Sequence, residues 1–243
     1  MDQGEGMSQL VRILGRGWTV LREHGLVSFV WRAREYLRRV KISASGIEVS
    51  YQTGTRIDFE ERLKLLEEAV PKHASSLLDL GCAEGHLTAE FADRGLFSIG
   101  IERQAHVVAS ARKSNADHPN LGFLEFEVTS ETIDTLPYFD VVFLLTVYHH
   151  WVNEFGWETA ENMLRIVGSK CETLVFEHPD TTVDRPAIEG VDEVDTERYF
   201  KSYFAELFEN EVVVKVLGLT DYKGGQRQDI ICVIDTTAVG RCN

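Results

Sequence analysis

The chain has 243 residues, 44% of them hydrophobic and 26% charged, so it is long enough to bury a sizeable core and is globular in composition rather than disordered. A net charge of −14 argues against general nucleic-acid binding, because phosphate backbones need basic faces. No apolar run approaches the roughly 20 residues that span a bilayer. Four cysteines (Cys82, Cys171, Cys232, Cys242) lack Cys-x-x-Cys spacing and follow no secretory-leader pattern, so they read as buried, reduced thiols of a cytoplasmic protein.

The charge is unevenly spread. Between Arg12 and Lys41 there are eight basic residues against two acidic ones, a local +6 that leaves −20 on the rest of the chain. Within this stretch Leu26, Phe29, Val30, Ala33, Leu37 and Val40 recur at helical spacing, with Arg32, Glu35, Arg38 and Arg39 elsewhere on the helix. Segment 18–42 therefore reads as a basic amphipathic helix. Two uses stay open for it: contact with an anionic membrane surface, with Trp18, Phe29 and Trp31 at the headgroup level, or a lid packed over the domain that follows. Residues 43–56 read as a linker, and the domain boundary is set between residues 54 and 55.

From there strands and helices alternate. Asp58–Val70 is predicted helical and stopped by Pro71. Strands are predicted over Ser76–Leu80, Phe97–Glu102, Gly122–Val128, Tyr138–Thr146 and Thr173–Glu177. The helices between them fall at Gly85–Gly95, Ala105–Asn115 and Trp157–Val167. Residues 180–195 are acidic and irregular. A helix over Thr196–Glu209 precedes a terminal strand pair, Glu211–Leu219 and Gln228–Asp235. Such alternation implies an α/β fold, a mostly parallel sheet with helices on both faces. In that fold the ligand lies beyond the carboxyl ends of the strands, so the residues just past each strand are the candidates for function.

The most informative segment is Leu77-Leu-Asp-Leu-Gly-Cys-Ala-Glu-Gly85: a strand, a turn built on Gly81, Ala83 and Gly85, then a helix. That geometry brings backbone N–H groups and a helix N-terminus towards a nucleotide-like ligand. Glu102 ends the next strand, where an acidic side chain can accept hydrogen bonds from ribose hydroxyls. His86 occupies the position of the third glycine of the dinucleotide fingerprint, whose close packing a ring blocks, and no Gly-Lys-Ser/Thr is present for a triphosphate.

The pattern acidic-x-Gly-x-x-x-Gly (Asp79, Gly81, Gly85) with Glu102 resembles motif I and the ribose acid of the class I S-adenosylmethionine-dependent methyltransferases. The resemblance runs over roughly residues 55–235. It implies a seven-stranded Rossmann-like sheet whose last strand is antiparallel, and S-adenosylmethionine as cofactor. Asp79, Gly81, Ala83 and Gly85 would form the cradle, Glu102 would take the ribose, and Val128 and Thr146 would lie beside the cofactor, Val128 by position after the third strand together with its neighbours Glu127 and Thr129. The run 146–156, with its Tyr148-His149-His150-Trp151, is similar to the corresponding part of O-antigen chain-terminating methyltransferases. Outside 77–102 and 139–156 that likeness is slight.

Tyr148 and His149 are the expected catalytic pair, His149 as the base if the acceptor is a hydroxyl. On an extended chain adjacent histidines point to opposite sides, so at most one of His149 and His150 is expected at the acceptor. Glu177, His178 and Asp180 at the next strand tip either line the acceptor pocket or form a solvated turn. Tyr222, Lys223 and Arg227 either grip an anionic acceptor or belong to an exposed hairpin. A metal held by His149, His150, Glu177 and His178 is not demanded by the spacing, and none is expected. The resemblance implies methyl transfer to an oxygen of a saccharide, with a uronic acid of a lipid-linked glycan as the narrower expectation. A methyltransferase with a soluble small-molecule acceptor and a non-catalytic binding module on the same fold are the alternatives.

Overall fold

The computed structural model describes residues 59–116, 118–179, 195–209, 212–222 and 227–239. Segment 18–42, the linker 43–56 and the boundary after residue 54 lie outside the described residues, as do Asp180, Lys223 and the side chains of Tyr222 and Arg227.

In chain order the elements are α1 (Phe59–Ala69), β1 (Ser76–Leu80), α2 (His86–Asp93), β2 (Phe97–Glu102), α3 (Ala105–Ser114), β3 (Leu121–Glu125), β4 (Phe139–Leu145), α4 (Tyr148–Phe155), α5 (Trp157–Ser169), β5 (Cys171–Pro179), α6 (Thr196–Leu207), β6 (Val213–Tyr222) and β7 (Arg227–Asp235). A 3-10 turn, Ile133–Thr135, precedes β4. The seven strands form one sheet in the order β3-β2-β1-β4-β5-β7-β6. The pairs β1–β2, β2–β3, β1–β4 and β4–β5 are parallel. Strand β7 runs antiparallel to both β5 and β6, so β6 points the same way as the first five. This is the expected seven-stranded methyltransferase-type sheet, with its single reversed strand. No helix among the described residues is long and apolar enough to cross a membrane.

Alternation along the central strands builds two cores. Leu78, Leu80, Val142, Leu144, Leu174 and Phe176 face α4, α5 and α6 and join Tyr148, Trp151, Met163, Leu164 and Phe204. Leu77, Val141, Phe143 and Val175 face the other way, onto Leu63 and Leu66 of α1 and Leu87 and Phe91 of α2. A strand covered on both sides has to be apolar where it is buried, which is why β4 runs Val-Val-Phe-Leu-Leu from Val141; Asp140, at its start, is half-buried and accepts from Ser75.

Four segments differ from the sequence reading, one of them β6, which runs on to Tyr222 rather than ending at Leu219. Strand β3 stops at Glu125 rather than Val128: after Phe126 N donates to Glu102 O (3.1 Å) the chain leaves the sheet for a turn held by Thr129 and Thr132. Strand β5 runs on to Pro179, because β7 pairs with it from Thr173 to Pro179. Residues 148–155 form a helix where an extended chain was expected. Its rings have modest helix propensity, but Tyr148, Trp151 and Val152 gain a buried face by coiling, and burial decides.

Candidate active site

The chain leaves β1 through a turn with three left-handed residues: Gly81 (φ 78°), Ala83 (φ 48°) and Gly85 (φ 75°). The N–H groups of Gly81 and Cys82 both donate to Ile101 O (2.8 and 3.0 Å), which ties the turn to the end of β2. Gly85 N donates to Cys82 O (2.9 Å), and Gly85 then caps α2. Both glycines are demanded by space as well as by φ. A Cβ on Gly81 would lie 2.5 Å from Cγ2 of Val147, and one on Gly85 would run into the Phe123 ring.

Beside this turn, at the point where the strand order reverses between β1 and β4, opens a cavity of about 470 Å³. Gly81, Ala83 and Glu84 supply one wall, and Glu102, Arg103 and Gln104 at the tip of β2 a second. Phe126, Glu127 and Val128 follow from beyond β3, Thr146 and Val147 from beyond β4, and His150, Trp151, Glu154 and Phe155 from α4. Gln104 N donates to Glu102 Oε1 (3.0 Å), which fixes that carboxylate at the rim. Arg103 lies between Glu154 Oε2 (3.5 Å) and Glu127 Oε1 (3.8 Å), joining three elements at the cavity wall. Thr146 leaves β4 with φ 57°, and its N–H donates to Glu177 O (2.9 Å).

Of the residues expected at the cofactor, Gly81, Ala83, Glu102, Val128 and Thr146 lie on the cavity wall. Asp79 and Gly85 stand behind it. Asp79 is 2% exposed and its Oδ2 accepts the Thr88 hydroxyl (2.6 Å). Burial lifts the Asp79 carboxyl from its usual 3.8 to about 6, against the downward pull of the Thr88 hydrogen bond and the field of Arg62; Glu102 pushes it further up. The folded state thus holds the proton more tightly than the unfolded chain. The stability this confers is complete below about pH 4 and is lost as pH rises through about 6, a swing on the order of 3 kcal/mol. Asp79→Asn keeps an acceptor for Thr88 and removes the buried charge. Its melting temperature, measured against the parent's, is expected to gain from pH 4 to about pH 6 and to level off above about pH 7. A difference that stays flat across that range would show that Asp79 does not titrate there.

The two residues expected to be catalytic lie off the cavity wall. Tyr148 is 2% exposed, deep in the core, its hydroxyl 2.7 Å from that of Tyr203, and burial holds its phenol well above the usual range. It does not reach the cavity. His150, not His149, is on the wall, because the chain here is helical rather than extended: the i, i+3, i+4 positions 147, 150, 151, 154 and 155 share one face. His149 is half-buried, its ring 4.0 Å from that of His150. Glu177 and His178 form neither an acceptor pocket nor a solvated turn. Both are buried in β5, Glu177 against Arg62 and His178 stacked on Phe176. No cluster able to hold a metal occurs among the described residues. Glu84, Arg103, Phe126 and Glu154 were not singled out from the sequence. Glu154 reaches the wall through the helical spacing of 147–155, which the structure reveals.

A family model described as "Methyltransferase domain" matches residues 78–169, which takes in the glycine turn, Glu102, the cavity wall and α5. Residues 78–169 thus match a methyltransferase domain, and the sheet that carries them has the class I methyltransferase order. The chain is 26% identical over 174 residues to the O-antigen chain terminator bifunctional methyltransferase/kinase WbdD of Escherichia coli, a match over 68% of this chain and 23% of the relative. The chain thus spans about a quarter of the curated relatives it matches. A crystal structure of WbdD superposes with a TM-score of 0.57 at 21% identity, covering 74% of this chain and 40% of that one. The N-terminal domain of EvdMO1, solved with SAH bound, superposes with a TM-score of 0.52 at 19% identity, covering 81% of this chain and 86% of that one. The same domain was also solved in the presence of SAH and D-fucose. The cofactor of the methyltransferase domain is S-adenosylmethionine.

Proposed function

We propose that this chain transfers the methyl group of S-adenosylmethionine to an oxygen of a saccharide. The observation that carries the proposal is one cavity lined both by Glu102, at the tip of β2, and by His150, on α4. In this reading the turn through Gly81 and Ala83 meets the cofactor with backbone, and Glu102 accepts from ribose hydroxyls. Phe126 and Val128 flank the adenine, and His150 stands on the acceptor side. The cofactor supplies an electrophilic methyl on a sulfonium. The protein's part is to align the acceptor oxygen, exclude water and, for a hydroxyl, take its proton. Trp151 and Phe155 give the apolar wall that keeps water away. The saccharide assignment is supported by the named activity of the O-antigen relative and by the D-fucose added to a structural neighbour. The narrower reading, a uronic acid of a lipid-linked glycan handled at the cytoplasmic face of a membrane through segment 18–42, rests on the sequence.

The test is incubation with methyl-labelled S-adenosylmethionine and a panel of neutral sugars, uronic acids and glycan precursors. A mass gain of one CH2 on a saccharide is the expected product; methylation confined to non-sugar acceptors would overturn the assignment. Glu102→Ala is expected to weaken cofactor binding by about 10- to 100-fold, because ribose donors then lose their partner in a part-buried site. Calorimetric titration checks this, and unchanged affinity would remove Glu102 from the ribose.

A further inference from the structure

Behind the glycine turn lies a third, small core of Cys82, Val108, Ala111 and Phe123. Phe123 is 5% exposed, although it belongs to the edge strand β3. Directly across the ladder from it, on β2, stands Gly100, which in turn faces Asp79 on β1. The Phe123 ring fills the space that a side chain on Gly100 would take. A Cβ there would lie 2.7 Å from Cδ1 and 2.9 Å from Cε1 of Phe123, and 2.7 Å from Sγ of Cys82. Gly100 is not left-handed, so space alone demands glycine at this position. The same edge of the ring meets Gly85, the cap of α2. From α3, Arg112 holds the Phe123 carbonyl with Nε (3.0 Å) and Nη2 (2.8 Å). The turn therefore has the cavity in front, where Gly81 and Ala83 stand, and Phe123 and Cys82 at its back. A left-handed alanine such as Ala83 (φ 48°) persists only where its surroundings hold it.

We propose that Phe123, with Gly100 as the gap that admits its ring, is a positioning residue for S-adenosylmethionine: it fixes from behind the backbone turn that meets the cofactor in front. The proposal rests on the cofactor reading and not on the acceptor. Neither residue lines the cavity, so both act through the turn. A turn already held in its binding geometry loses little freedom when the ligand arrives, and affinity rises accordingly. A methyl on Gly100 would press the ring and the Cys82 thiol towards the turn. Leucine at 123 would vacate the space which that methyl needs.

The experiment is calorimetric titration with S-adenosylhomocysteine and S-adenosylmethionine, beside thermal melting, of the parent, Gly100→Ala, Phe123→Leu and the double variant. Gly100→Ala is expected to raise both Kd values by about 10-fold or more, and Phe123→Leu by about 3- to 10-fold. The double variant should bind more tightly than Gly100→Ala alone, because residues in contact do not add. A purely structural part would couple the two positions in melting temperature and leave the Kd of folded variants within about 2-fold of the parent's. That result overturns the proposal and leaves the cofactor reading standing, as do losses in Kd that simply multiply. If the parent binds neither ligand, both fall. Should a core variant fail to fold, Arg112→Gln decides: it lies on the exposed side of α3 and frees the Phe123 carbonyl without opening the core. A Kd raised by about 3-fold is expected there, and an unchanged one overturns the proposal.

Discussion

Glu177→Ala should cost about 3–5 kcal/mol of folding stability, a large part of what a domain of this size possesses. Glu177 lies 0% exposed in β5, and Arg62, 3% exposed in α1, grips it with two parallel bonds: Nε to Oε1 at 2.8 Å and Nη2 to Oε2 at 2.6 Å. The Thr220 hydroxyl donates to Oε1 at 3.4 Å. Truncation of one partner strands a guanidinium that cannot shed its charge among apolar neighbours such as Leu63 and Ile231. The pair itself is a different matter. Replacing both ions with apolar side chains of similar volume, Arg62→Met with Glu177→Leu, should recover most of the loss, because the desolvation cost of the pair offsets much of its attraction. Urea unfolding of parent, single and double variants measures this. A loss under about 1 kcal/mol for Glu177→Ala would mean that water reaches the site. The consequence extends to the cavity. Thr146, on its wall, is held by its N–H to the carbonyl of Glu177, so loosening the end of β5 should also weaken cofactor binding in variants that still fold.

That ion pair marks where reading the chain stops. Its partners stand 115 residues apart, and neither belongs to a local pattern. From sequence Glu177 is only an acid at a strand tip. The strands, in contrast, were legible to the residue where local chemistry is decisive: Ser76–Leu80 and Phe97–Glu102 match the structure because a glycine turn and an acidic tip bound them. Glu102, Gly81 and Ala83 were legible as cavity residues for the same reason. The stretch from Tyr148 was misread because two adjacent histidines between large rings carry no helix signal of their own. The helix exists through the core it covers, with Tyr148 against Phe176 and Tyr203. One wrong period exchanged the roles of neighbours, sending Tyr148 inward and bringing His150, Trp151 and Glu154 to the cavity. Strand β3 was overextended for a related reason. Phe126 and Val128 are apolar like a strand, yet they are apolar because they line the cavity.

If the acceptor is a hydroxyl, His150→Ala should slow turnover by about 100-fold or more, while the Kd for S-adenosylhomocysteine stays within about 3-fold of the parent's. His150 is the histidine on the cavity wall, exposed and in the first turns of α4, where its N–H donates to Val147 O at 2.8 Å. Fixed there, its ring can take a proton from an acceptor oxygen without refolding the wall. His149 acts at one remove. Its ring packs 4.0 Å from that of His150 and 6.4 Å from that of His178, so His149→Ala removes support rather than the base, and a loss of about 10-fold or less is expected. A base must be deprotonated to work, so the parent's turnover should rise with pH as the base loses its proton and then level off. In His150→Ala that rise should vanish, and a small amine such as imidazole should restore part of the rate. Three results in combination would remove the base: His150→Ala at the parent's rate, no pH dependence from 5 to 8, and no rescue. A carboxylate is already deprotonated across that range and needs no proton acceptor, so the same combination would turn the acceptor from a sugar hydroxyl to a uronic acid. The methyl transfer itself would be untouched.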